Sequence, residues 1–249
     1  MRCACERKNA TVLRTRAACA HDCRKANLGY SVPAMKTSAS THSPVCALAI
    51  FAVTVSACNN DPGKGKAQAT VGSATAALTA PAASAVNYAF SNEGSTFEFV
   101  GAKITAKNEG SFAAFRGNIA LVDGDPVKSS VSAEVDTASL TAQPEKLANH
   151  LKSADFLDVA KFPKAKFSST AIKAGGENGA TQIVTGNLEL HGVTRAITFP
   201  AQIKLEGDTV SVLSEFSIKR KDFSIVYPGM PDDLIKDEVL LKLSLHAKK

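Results

Sequence analysis

From about residue 86 onward, apolar and polar side chains alternate with a period of two, which places every second side chain on one face of an extended strand. The C-terminal stretch EVLLKLSLHAK shows this best: Val239, Leu241, Leu243 and Leu245 alternate with Leu240, Lys242, Ser244 and His246. With segments 95–104, 111–122, 128–136, 165–173, 181–190, 193–205 and 208–218 it makes eight predicted strands. Turn signals separate them, among them Asp123-Gly124-Asp125-Pro126, the glycine-rich run from Gly175 to Gly179, His191-Gly192 and Glu206-Gly207-Asp208. Short connections make consecutive strands antiparallel neighbours, and about eight such strands can close into a barrel with no exposed edge. Pro200 has no amide donor, so a bend or bulge is expected in the sixth strand.

One segment, TAQPEKLANHLKSADFLDVAKFP, breaks the alternation. Pro144 and Glu145 suit a first helical turn, and Leu147 and Leu151 lie four apart on one face. Ser153 can cap a second short turn containing Asp155 and Phe156, before Pro163 returns the chain to extended structure. The expected fold is therefore all-β: an eight-stranded antiparallel barrel over 86–249, with a short helical insert closing one end.

Ahead of the barrel the pattern is different. From Met35 a short stretch with Lys36 leads into an apolar core, Val45 to Val55, and then Ser56-Ala57-Cys58. This reads as a secretory signal, too short for a mature membrane span. The ending Val55-Ser56-Ala57-Cys58 resembles the bacterial lipobox, which implies cleavage before Cys58 and lipid attachment to it. Residues 1–34 make the leader too long, so translation is expected to start at Met35, with 35–57 as the signal peptide. Residues 58–85 follow as lipid anchor and linker; rich in Ala, Gly, Ser, Thr and Pro, the linker reads as a flexible spacer. Asn59 after the cysteine favours the outer over the inner membrane, on the periplasmic side.

Charge and cysteine content sharpen that division. All six cysteines lie at or before Cys58, which excludes a disulfide framework in the barrel. Cys3, Cys5, Cys19, His21 and Cys23 do not follow a zinc-ligand spacing. Of 29 basic and 23 acidic residues, eight and two precede Cys58, leaving 21 of each sign from there on. A neutral mature chain with scattered lysines offers no footprint for nucleic acid.

Three stretches in the barrel segment carry a more specific signal: HLKSADFLDVAKFPKAKFSS, VTGNLELHGVTRAITFP and FSIKRKDFSIVYPGMPDDLIKDEVLLKLSL. Their order and spacing closely resemble the YceI family, lipocalin-like barrels that bind polyisoprenoid or related long-chain lipids. The resemblance spans roughly 87–249. It carries the first motif onto His150, Leu151, Asp155, Phe156, Phe162, Pro163 and Phe167, the second onto Gly186, Leu188, Gly192 and Val193, and the third onto Arg220, Asp222, Phe223 and Asp237. Asn108 departs from it, standing where a histidine is frequent, which implies a different head-group contact.

An isoprenoid chain needs a dry cavity, since each buried CH2 contributes about 0.8 kcal/mol. Inward positions that can line one are Phe97, Phe99, Phe112, Ile119, Val135, Ile183, Leu188, Phe199, Val212, Phe216, Leu241 and Leu243. Alternation alone fits a barrel filled by these side chains equally well. At the barrel end or against a head group, the candidates are His150, Phe156, Arg220 and Asp222. Arg220 and Asp222 share a face if the strand continues, and can either pair or leave Arg220 to an anion. His191 is expected to be solvated in its turn, and Asp232, Asp233, Asp237 and Glu238 to form a solvated acidic loop.

The expected function is non-catalytic binding, sequestration or transport of an isoprenoid-type lipid or quinone in the cell envelope. No cofactor or metal is implied, and the oligomeric state is left open. Two alternatives remain: an enzyme acting on an isoprenoid or quinone, with His150 and Asp155 as acid and base, and a ligand-free envelope scaffold.

Overall fold

The computed structural model describes residues 61–76 and 84–249. The upstream segment 1–34, the expected signal peptide and Cys58 lie outside the described residues. Two short strands come first, β1 (Ala67–Gln68) and β2 (Thr70–Ser73). They are followed by β3 (Ala85–Ser91), β4 (Thr96–Lys103), β5 (Lys107–Phe112), β6 (Phe115–Val122), β7 (Asp125–Asp136) and β8 (Leu140–Ala142). The helix α1 (Glu145–Lys152) precedes β9 (Lys164–Ala174), β10 (Gln182–Leu190), β11 (Val193–Glu206), β12 (Thr209–Lys219), β13 (Gly229–Met230) and β14 (Asp233–Lys248).

β3 and β4 form one interrupted ribbon, as do β5 and β6, and β7 and β8; each pairs in register with the next. With β9, β10, β11, β12 and β14 they make a closed eight-stranded antiparallel barrel, as expected. Closure runs through β14, which pairs with β12 on one side and with β3 and β4 on the other. Two of the connecting hairpins are two-residue turns with positive φ at both positions, Asp123 at 54° with Gly124 at 70°, and His191 at 52° with Gly192 at 73°. That geometry matches the twist of the flanking strands.

The ribbon expected over 111–122 is bent rather than straight. Ala113 and Ala114 leave the ladder and donate their amides to the main-chain oxygen and Oγ of Ser139. Two residues outside the ladder between Phe112 and Phe115 keep both rings facing the interior.

Pro200 has a larger consequence than a bend. Its carbonyl points at β12, where it accepts a hydrogen bond from Ser214 Oγ at 2.6 Å. Its missing amide lies on the same edge, and the β11–β12 ladder stops beyond Gln202 and Leu213. Into the gap fits the N-terminal segment: β1 runs parallel to β12 at Phe216 and Ser217, and β2 antiparallel to β11 from Arg195 to Thr198. The expectation of a flexible spacer therefore fails for residues 61–76. A chain of small residues has no apolar stripe of its own, but two unpaired strand edges supply it with hydrogen-bond partners. Ala69 is buried in the barrel core, and its amide donates to Ser217 O at 2.8 Å.

The end of the barrel near the 123–124 and 206–209 turns is packed shut by Tyr88, Ile119, Leu121, Val210 and Ala247. At the other end α1 lies against the rim, with Leu147 and Leu151 packed on Phe99, Leu140 and Ala142. Ser153 Oγ accepts the Asp155 amide and its carbonyl accepts that of Phe156, so the second turn forms as expected.

Candidate functional site: an apolar cavity and its polar mouth

Between the packed end and the helix lies a cavity of about 530 Å³, lined almost entirely by apolar side chains from every ribbon of the barrel. A volume in this range suits one ligand of moderate size. Glycines on the wall help to keep it hollow. Gly117 faces Phe90 across the β3–β6 ladder, Gly110 faces Phe99 across β4–β5, and Gly186 lies under the ring of Phe167. A Cβ at these three positions would stand 2.1 to 2.4 Å from a ring carbon, so only glycine lets each ring lie on the wall. The rings also pack on one another: Phe199 stacks on Phe216 at 4.2 Å, and Phe97 meets Phe112 at 5.2 Å.

All the expected cavity residues line it except Ile119 and Ile183. Ile119 is buried, but in the packed end opposite Tyr88. Ile183 faces the other side of β10, because the inward set there is Val184, Gly186, Leu188 and Leu190. Counting in twos back from Leu188 gives Val184. Phe90, Phe115 and Tyr227 also line the cavity and were not among the sequence candidates, and Phe167, which the resemblance named only as a motif residue, lines it too.

At the mouth, His150, Phe156 and Tyr227 form a mutual ring cluster with centroids 5.0 to 5.3 Å apart. His150 Nε2 lies 3.0 Å from Asp155 Oδ2, so the pair considered for acid–base work does form, with both side chains partly in solvent. Asn108 lines the cavity close by, as do Lys103 and Asp233, which pair with each other. The Lys103 hydrogen bond holds the Asp233 carboxyl below its usual pKa, with Thr105 adding to the effect.

Arg220 and Asp222 do not share a strand face, because residues 220–223 turn into a 3₁₀ helix. Arg220 is buried at 4 % exposure. Its guanidinium donates to the carbonyls of Ile225 at 2.7 Å, Lys236 at 3.1 Å and Ile235 at 3.3 Å. Burial lowers its pKa, opposed by the charge of Asp237. It pins the 224–236 loop, and Asp222 stands away from the cavity.

The acidic cluster likewise divides: Asp233 goes to Lys103 and Thr105, Asp237 Oδ1 accepts the Lys221 amide, and Glu238 meets Asp61. His191 is not simply solvated, since Nδ1 is 3.2 Å from Phe223 O and the ring packs edge-on against Phe162 at 4.8 Å.

The YceI-like domain family matches residues 88–247. The chain belongs to this family. A UPF0312 protein of Pseudomonas putida (strain W619) is 39 % identical over 165 residues, covering 62 % of this chain and 84 % of the relative. A UPF0312 protein of Pseudomonas fluorescens (strain SBW25) is 34 % identical over 178 residues, covering 68 % and 91 %.

Among solved structures, Burkholderia cenocepacia BcnA superposes with a TM-score of 0.56 at 24 % identity, over 63 % of this chain and 98 % of that one. A polyisoprenoid binding domain from Saccharophagus degradans gives 0.51 at 17 % identity, over 65 % and 97 %.

The structure gives several YceI-motif residues a mechanical reason. Gly192 takes positive φ beneath the Phe162 ring, Gly186 lies beneath Phe167, and Phe223 is fully buried beside the His191 turn.

Proposed function

We propose that this YceI-like barrel binds a polyisoprenoid or similar long-chain lipid in the bacterial envelope, and sequesters or carries it without catalysis. The observation that carries this reading is the cavity itself: an apolar interior of about 530 Å³, backed by glycine-paired phenylalanines, with polar side chains at its mouth. A hydrocarbon tail fits the first, and a head group fits the second. The Saccharophagus neighbour, described as binding polyisoprenoid, supports the ligand class. Asn108, Tyr227, His150 and Lys103 are the head-group contacts on this reading.

The envelope location rests on the lipobox-like sequence ending at Cys58. The test is equilibrium binding of isoprenoid alcohols and isoprenoid quinones of graded tail length to the purified chain. Affinity should rise steeply with each added unit, since every buried CH2 contributes about 0.8 kcal/mol; affinity independent of tail length would sink the proposal.

His150, which lines the cavity and contacts the exposed Asp155, favours one other reading, acid–base chemistry on such a lipid. A nucleophile is the missing part: of the lining hydroxyls, Thr137 Oγ1 already donates to Phe162 O, and Tyr227 is packed against His150. His150→Gln distinguishes the two, because binding without catalysis leaves nothing to turn over, whereas an enzyme loses turnover and keeps its ligand.

A further inference from the structure

The 224–236 segment lies at the mouth of the barrel, and among the described residues it carries three of the exposed large apolar side chains. Val226 is 64 % exposed, Met230 63 % and Leu234 46 %, and Ile104, whose amide donates to Leu234 O, is 51 % exposed. Tyr227 and Met230 also line the cavity, so this apolar rim is continuous with the interior. At the packed end Leu205 is 43 % exposed but is not among the residues that line the cavity.

The N-terminal segment enters the barrel near that same rim. Lys107 Nζ, beside the Ile104 turn, donates to Asp61 O at 3.3 Å, and the Glu238 carboxyl meets that of Asp61. Pro62 and Gly63 are buried, and a Cβ on Gly63 would collide with Glu238 and Ser217. From Asp61 to Ser73 the chain is fixed to the wall by hydrogen bonds, by strand pairing and by the Lys66–Glu215 ion pair. Cys58 stands three residues before Asp61. Three residues span at most about 11 Å even when fully extended. A free linker of the length first expected would allow the barrel any orientation; this one does not.

We propose that Ile104, Val226, Met230 and Leu234 form a docking rim that enters the surface of a phospholipid bilayer, with the Asp61–Ser73 strap holding the cavity mouth against it. This rests on the reading of Cys58 as a lipid-bearing residue, and it adds the orientation: ligand passes between bilayer and cavity without crossing water. Apolar side chains seated at the head-group boundary are the usual means by which a surface-bound element adds to the hold of an acyl anchor.

The chain contains no tryptophan, so a single introduced one is an unambiguous reporter. Full-length chain bearing Met230→Trp, processed in a bacterial host and reconstituted in phosphatidylethanolamine–phosphatidylglycerol vesicles with brominated acyl chains, should show blue-shifted and quenched emission. Leu205→Trp should show neither. Inserting about twenty Gly and Ser residues between Asn60 and Asp61 should reduce the Met230→Trp quenching. Val226→Asp in the Met230→Trp background should reduce it too.

Unquenched Met230→Trp on vesicle-bound chain, equal quenching at both positions, or a blue shift that depends on protein concentration without vesicles would overturn the docking. The last result would assign the rim to a second copy. The mass of the Cys58 peptide reports the anchor separately. Acylated chain with unquenched Met230→Trp defeats the docking alone. Unacylated chain defeats the anchor, and the docking then stands or falls on the rim quenching.

Discussion

The Glu238 carboxyl meets that of Asp61 on the outer wall of the barrel, tying the N-terminal segment to β14. The hydrogen bond to Asp61 raises the pKa of Glu238 above its ordinary value, helped by burial and by the charge of Asp61. Because the folded pKa lies above the unfolded one, the contribution is fully present below the unfolded pKa and is lost as pH rises through the folded one. Amide hydrogen exchange in residues 67–73 should therefore speed up as pH rises through the raised Glu238 pKa, beyond the intrinsic rise with pH. Glu238→Gln, which keeps a donor without the charge, should flatten that dependence.

Gly117 is the tightest of the glycine–phenylalanine contacts, since a Cβ there would stand 2.1 Å from Phe90 Cζ and 2.4 Å from Ser132 O. Gly117→Ala must move a ring and a strand together. Overpacking of this kind costs about 1–3 kcal/mol, which a lowered urea midpoint with unchanged slope would register.

Ala133 lines the cavity on β7 and tests whether the interior is hollow. In a barrel filled by its own side chains, Ala133→Phe would be destabilising by about 1–3 kcal/mol. In a hollow one the new ring occupies empty space: thermal stability should hold or rise, and binding of a long-chain lipid should fall.

Arg220 holds three carbonyls of the mouth loop from a buried position. Arg220→Met leaves those acceptors without their donor, and a loss of roughly 3 kcal/mol or more is expected in chemical denaturation. Arg220→Lys should recover only part of it, because an ammonium cannot reproduce the planar fork.

The barrel was legible in the sequence because each wall is wet on one side and dry on the other, so alternation such as that of Val239, Leu241 and Leu243 reports strand and face together. The errors fall where another influence overrides the period. Ile183 is misplaced by one position because β10 carries apolar side chains on both faces, and Arg220 with Asp222 because the strand winds into a 3₁₀ turn. β1 and β2 carry no local signal, since their pairing is imposed by the edges that Pro200 leaves open. Tyr227 lies in a loop, where periodicity says nothing of direction. Ten of the twelve inward positions read from alternation line the cavity, and His150 and Phe156, where no alternation applies, came from the helical insert and the resemblance.

The most direct test of the central claim is native mass spectrometry of the chain purified from its own host, with solvent extraction of the same sample. One long-chain lipid per barrel, lost in Ala133→Phe, is the result expected. A chain that is repeatedly empty and takes up no lipid from envelope extract would contradict the account.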